Sequence, residues 1–159
     1  MNKKALLKAV VAQLVSELEV YLRAAQASHA EATHEQSKAE SKYDTRGLEA
    51  SYLAQGQSRQ AAEMAAAIQE FETMKPRDFV KGDFIDVGAL VELEQGKDRS
   101  LYMIGPRAGG TEVTHEKREV LVITPQSPLG SQLVGKKQGD KLQLTLAGAK
   151  NQYKVVTVS

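Results

Sequence analysis

The chain has 159 residues, enough for one large domain or two small ones, and its 42% hydrophobic content suffices for a modest core, which excludes a disordered chain. A formal charge of +1, from 21 Lys and Arg against 20 Asp and Glu, leaves no global basic field, which argues against nonspecific DNA binding by this chain alone. The absence of cysteine excludes disulfides, thiolate metal sites and thiol nucleophiles, and fits a reducing cytoplasm.

The N-terminus opens Met1, Asn2, Lys3, Lys4, but Lys8, Gln13 and Glu17 interrupt each apolar run, so the segment reads as mature helix rather than as a signal peptide. No stretch approaches the ~20 apolar residues of a membrane span, and a cytoplasmic protein without membrane association is expected. From there Leu7, Val11, Leu14, Leu18, Tyr21 and Ala25 recur at a 4-3-4-3-4 spacing, one stripe along a helix with heptad character. The stripe thins to small residues through Ala32 and Ala39, which let a partner helix approach closely.

Ala54, Ala61, Met64, Ile68 and Phe71 form a second stripe that ends before Lys75 and Pro76, where proline makes continuation unfavourable. Between the stripes, Gly47 supplies backbone freedom for a turn, and Asp44 or Thr45 suits a helix cap. Two helices of about 25 to 40 residues joined by a short loop pack as antiparallel neighbours and project roughly 40 Å. A continuous helix that dimerises would show similar stripes, but Gly47 and the lost register across residues 43–53 favour an intramolecular hairpin, and with it a monomer.

After Pro76 the period changes. Residues 89–94, 100–104, 119–123, 141–146 and 152–158 read as short strands separated by turn formers at 95–98, 105–111 and 147–150. One short helix interrupts them, with Ser127 as N-cap, Pro128 in the first turn and Gly135 closing it. The fold class is therefore α+β: a coiled-coil hairpin over residues 1–75 with its tip at about 43–49, then an antiparallel sheet domain with one short helix over 76–159. His29 and His34 stand five apart rather than the four that aligns two ligands on a helix face, and His115 falls in an expected loop, so no zinc site is indicated. The Gly-rich stretch 105–111 precedes no helix and lacks Gly-Lys-Ser or Gly-Lys-Thr, which removes a phosphate cradle. Ser127 has no His and Asp companions by spacing, so no nucleophilic enzyme is expected.

The run from Thr124 to Asp140, with Ser127-Pro128-Leu129-Gly130, Leu133, Gly135-Lys136-Lys137 and Gly139-Asp140, resembles the signature of the Gre transcript cleavage factor family. The resemblance implies an FKBP-like C-terminal domain that docks on the rim of the RNA polymerase secondary channel, and an N-terminal hairpin that reaches through it. It makes Ser127, Pro128, Leu129 and Gly130, with Arg46 near the tip, candidates for polymerase contact. The family tip reads Gly-Asp-Leu-x-Glu-Asn-Ala-Glu-Tyr, and its Asp and Glu hold a second magnesium ion. Here, aligning Asp44 on the family Asp puts Gly47 where Glu belongs, and aligning Ala50-Ser51-Tyr52 on Ala-Glu-Tyr puts Leu48 there.

Two-metal phosphodiester hydrolysis needs one ion to generate hydroxide and another, ~4 Å away, to stabilise the leaving oxygen. One or two carboxylates plus substrate phosphate suffice to recruit magnesium. Asp44 and Glu49 are the acids within the expected turn, so the resemblance assigns them a shared magnesium in the polymerase complex, with no cofactor in the free protein. The competing assignment is structural: Asp44 caps a helix and Glu49 complements a helix dipole. The expected function is a transcription elongation factor, accessory rather than an enzyme, that stimulates the polymerase's own cleavage of backtracked RNA and meets the nascent RNA 3′ end only indirectly. The alternative is a Gre-like modulator or inhibitor at the same channel, motivated by the altered tip. A prolyl isomerase is a third class, and it would need an apolar cavity walled by aromatic residues.

Overall fold

The computed structural model describes the backbone of residues 1–38 and 46–159, and the side chains of these except residues 25, 28–38, 46–58 and 146. Helices α1 (Lys3–Lys38) and α2 (Arg46–Thr73) precede strands β1 (Leu90–Gln95), β2 (Asp98–Ile104), β3 (Glu112–His115) and β4 (Arg118–Ile123). Helix α3 (Pro128–Leu133) and strands β5 (Lys141–Leu146) and β6 (Ala149–Val158) complete the order. The chain divides into two compact units, Leu14–Ile68 and the combination of Met1–Gln13 with Gln69–Ser159. The start of α1 and the end of α2 thus belong to the same unit as the sheet, and the rest of both helices forms the other.

Within the helical unit Leu14, Ala61, Ala67 and Ile68 are buried. These are members of the two stripes or stand beside them. Asn2 starts α1: its side-chain Oδ1 accepts the Ala5 N–H at 3.1 Å and its carbonyl accepts Leu6 N–H at 2.9 Å. At the other end, Thr73 Oγ1 donates back to the Gln69 carbonyl at 2.9 Å, one turn earlier in α2. Helix α2 begins at Arg46, which makes Gly47 and Leu48 helical rather than part of the expected turn.

The sheet has the order β3-β4-β2-β1-β6-β5. Four pairings are antiparallel, but β2 and β4 are parallel, with Leu101 opposite Val120 and Ile104 opposite Ile123, so the expected antiparallel sheet is a mixed one. The chain leaves β2, forms the outer strand β3, and returns through the two-residue turn Glu116–Lys117 to place β4 between them. Both turn residues have positive φ, 50° and 63°, the twist that joins antiparallel strands tightly. The expectation of a loop at His115 is corrected: His115 ends β3, pairs with Arg118, and its largely buried ring lies 3.6 Å from the Glu116 carboxylate.

One sheet face carries the main core, where Phe79, Ile85, Val91, Leu93, Ile104, Ile123, Leu142 and Val155 cluster with Leu133 of α3. The alternate residues Leu101, Met103, Val120 and Val122 are also buried, as are Leu6, Val10 and Phe71 at the helix ends of the same unit. Sheet alternation puts those strand residues on the opposite face, so this part of the sheet is buried on both sides. Phe71 comes so close to the sheet that a Cβ built on Gly105 would stand 2.7 Å from its Cζ and 2.9 Å from Val122 Cγ1.

Lys3 fastens the start of α1. Its ammonium donates to the carbonyls of Arg77 and Ser159 and lies 4.9 Å from the Phe79 ring centroid, while the Arg77 guanidinium lies 4.3 Å from the same ring. Ser159 is itself paired with Leu90 by two backbone hydrogen bonds of 2.9 Å. Burial lowers the Lys3 pKa from 10.5 to about 8, against the opposing pull of Asp78.

Two outcomes are expected. Gly105→Ala should cost about 1–3 kcal/mol in chemical denaturation, because the new methyl meets Phe71 and Val122. Because the Lys3 pKa is depressed in the folded state, the unfolded chain holds the extra proton between pH 8 and 10.5, and stability rises with pH across that window. Thermal melts from pH 7 to 9.5 should show the wild type gaining on Lys3→Met as pH rises. A difference independent of pH would refute the assignment.

Candidate functional site

Of the tip residues singled out by sequence, Asp44 lies outside the described residues. Arg46 and Glu49 fall in the first turn of α2, and their side chains lie outside the described set. Glu49 in a first helical turn is where a carboxylate favours the positive end of the helix dipole. Among the described residues, no three His, Asp or Glu side chains come together in a way that would hold a metal ion.

The Ser-Pro-Leu-Gly segment is described in full, and its geometry explains each residue. Ser127, in extended conformation at φ −68° and ψ 156°, caps α3: its Oγ accepts Gly130 N–H at 3.0 Å and donates to the Thr124 carbonyl at 2.7 Å. Pro128 takes the first helical position, where no N–H is needed and its fixed φ suits the helix. Leu129 is half-buried against the core and Leu133 fully buried. Gly130 is buried, and a Cβ there would stand 1.9 Å from the Thr124 carbonyl oxygen, so no side chain fits. The segment is thus a folding device first. Among its four residues only Pro128 is exposed, which makes it the one that offers open surface.

Leu129 of α3 is one of several half-buried apolar side chains packed against the core, with Val87, Tyr102, Leu121 and Tyr153. Burial pushes the Tyr102 phenol pKa up; a hydrogen bond with Ser100 opposes the shift and Tyr153 adds to it, so the phenol stays neutral at physiological pH. Sequence reasoning did not single out Tyr102, Leu121 and Tyr153, because strand alternation assigns them to the core and gives no sign that the cover stops short of them.

Two open depressions include Tyr102 and Leu121 or Tyr153 in their walls. One, of about 420 Å³, is lined by Arg99–Tyr102, Arg118–Leu121 and Glu112, and the other, of about 510 Å³, by Glu94, Gly96, Lys141–Gln143 and Gln152–Lys154. Near the first, Arg118 donates to the Glu92 carboxylate at 2.8 Å and Arg99 lies 3.6 Å from that of Glu94. Each depression holds one tyrosine among charged side chains. Neither is the apolar, aromatic-walled cavity that proline isomerisation requires.

The segment's construction predicts a graded response. Gly130→Ala should destabilise by about 3 kcal/mol or more, since the clash is with rigid backbone, whereas Ser127→Ala should cost about 1 kcal/mol through loss of the cap. Urea denaturation of the two variants checks the order.

Comparison with known proteins places this geometry. The family model described as "Transcription elongation factor, GreA/GreB, C-term" matches residues 80–159, the sheet, α3 and the capped Ser-Pro-Leu-Gly segment. The chain is 29% identical over 123 residues to the transcription inhibitor protein Gfh1 of Thermus thermophilus, covering 73% of this chain and 72% of that protein. It is 28% identical, again over 123 residues, to Gfh1 of Thermus aquaticus, covering 73% and 71%. Among solved structures, the crystal structure of Thermus aquaticus Gfh1 aligns over 95% of this chain and 94% of its own, with 25% identity and a TM-score of 0.41. The match over residues 80–159, half of the chain, establishes that it belongs to the GreA/GreB family of transcription elongation factors.

Proposed function

We propose that this chain binds RNA polymerase through its sheet unit and offers the tip of its helical hairpin to the polymerase's secondary channel, where it restrains transcription without stimulating RNA cleavage. The family match across residues 80–159, which hold the whole sheet and α3, carries the polymerase reading. Two features favour inhibition over cleavage. The curated relatives over almost three quarters of the chain are transcription inhibitors, and the sequence places Gly47 or Leu48 where the family's tip glutamate belongs. In this role the factor is accessory and monomeric, acts in the cytoplasm, and has no catalytic centre of its own.

The second reading is a cleavage stimulator, in which Asp44 and Glu49 share a magnesium ion inside the polymerase complex and the nascent RNA 3′ end is the indirect target. It is favoured by the two acids that the tip retains. Magnesium's preference for hard oxygen donors, and its tolerance of several bound waters, fit a pair of carboxylates completed by phosphate.

Backtracked elongation complexes and promoter run-off reactions separate the readings. Inhibited run-off with no shortened transcripts is expected. Transcript cleavage that disappears when Asp44→Ala and Glu49→Ala are combined would overturn the inhibitor reading and establish the metal-sharing tip. Cleavage that survives the double substitution would sink the inhibitor reading and the metal assignment of these acids alike.

A further inference from the structure

Strand β5 ends the sheet: it pairs only with β6, and its other edge has no neighbouring strand. The two-residue turn Ala147–Gly148, with φ of 50° and 80°, joins Leu146 to Ala149, and in such a hairpin the two residues flanking the turn bond to each other. Alternation then turns the backbone groups of Leu144 and Leu142 toward β6. Asp140, two residues further back, keeps the phase, its carbonyl accepting Val155 N–H at 2.8 Å. The N–H and carbonyl groups of Lys141, Gln143 and Thr145 therefore point away from the sheet, and all three residues are exposed. Sheet edges are commonly blunted by short strands, proline, bulges or inward charges. The opposite edge strand, β3, has only four residues, whereas β5 has six in unbroken register with no proline.

The edge has two unlike sides. Lys141 stands opposite Lys154 and Thr145 opposite Lys150, so one face of the hairpin carries three lysines, and residues 141–159 contain no acid. None of the three is in an ion pair among the described residues. Two acids adjoin the hairpin: Asp140, whose Oδ2 accepts Lys137 N–H at 2.9 Å, and Glu94, which stands opposite Lys154 and lies 3.6 Å from the Arg99 guanidinium. The other face is apolar, with Leu142 buried in the main core and Leu144 half-buried. A second copy of β5 would bring two sets of these lysines together, which is repulsive. A nucleic acid would meet the lysines but offers no regular row of donors to the outward carbonyls. An extended polypeptide supplies donors and acceptors at the matching spacing, and acids at its alternate positions meet the lysines.

We propose that the free edge of β5 receives an extended segment of another protein as an antiparallel strand, with Asp or Glu on the lysine side and apolar residues beside Leu142 and Leu144. Four of the five pairings in the sheet already have that orientation. The proposal does not rest on the polymerase reading.

A blocked peptide of alternating Glu and Val, as long as β5, is the probe, and amide hydrogen exchange of the full chain is the readout. In the free protein the amides of Gln143 and Thr145 exchange fast, while those of Leu142 and Leu144 are protected. Saturating peptide should slow Gln143 and Thr145 about tenfold or more. An antiparallel strand presents the amides of its glutamates to β5, so N-methylation of the glutamates should abolish the effect and N-methylation of the valines should spare it. The combination of Lys141→Glu with Lys150→Glu, checked for folding by thermal melts, should weaken the peptide about tenfold at low salt. Fast exchange at both residues under millimolar peptide would remove the proposal. So would protection by all three peptides alike, which is charge attraction without an added strand. Protection that grows with protein concentration in the absence of peptide would give the edge to a second copy, and protection by a single-stranded oligonucleotide but not by the peptide would give it to nucleic acid.

Discussion

The ring of Phe71 occupies space that any side chain at residue 105 would claim, and the placement of the last turn of α2 depends on that vacancy. With the ring seated beside Val122, the buried residues Met103 and Val120 are shielded from water on the face away from α3. The Lys3 ammonium, held by the carbonyls of Arg77 and Ser159, fixes the first turn of α1 in the same unit. An ion pair of 2.9 Å between Arg107 and Glu70 joins the connection after β2 to the last turns of α2, but both groups are well exposed and such pairs add little. The weight of the attachment therefore falls on the apolar contact and the buried amine.

The candidate contact residues Ser127–Gly130 and the tip acids fall in the sheet unit and in the helical stretch respectively. In the former, the hydrogen-bonding capacity of Ser127 is used within the fold, since its hydroxyl both caps α3 and donates to Thr124. What the segment leaves on the surface is therefore the exposed Pro128 rather than a free hydroxyl. The chemistry of the tip, by contrast, lies in a different stretch of sequence, so the two can be altered independently.

Much of the architecture is legible in the residues. Heptad spacing from Leu7 marks the first helix, Pro76 limits the second, and Ser127-Pro128 announces α3 with its cap in place. What escaped has physical reasons. Strand β3 is four residues long and reads Glu-Val-Thr-His, too short for alternation to stand out after a Gly-rich run. The parallel pairing of β2 with β4 is decided by which strand fills the space between β2 and β3, and no local pattern encodes that choice. Lys3 looks like an ordinary N-terminal surface lysine, and only the arrival of Arg77, Phe79 and Ser159 around it makes it a buried one. The tip acids are legible as residue types, whereas their role depends on convergence that spacing alone does not fix.

Strand β1 lies in the middle of the sheet, with β2 on one side and β6 on the other. In the sequence both helices and five strands precede β6, so one edge of the central strand stays unpaired until β6 has been made and docks. The backbone groups of Glu92 and Leu93 then face solvent, ready to pair with any extended segment nearby. The chain is therefore most exposed to mispairing until β6 docks, since β5 joins the sheet only through that strand. Chaperone dependence, if the cell imposes one, belongs to that interval.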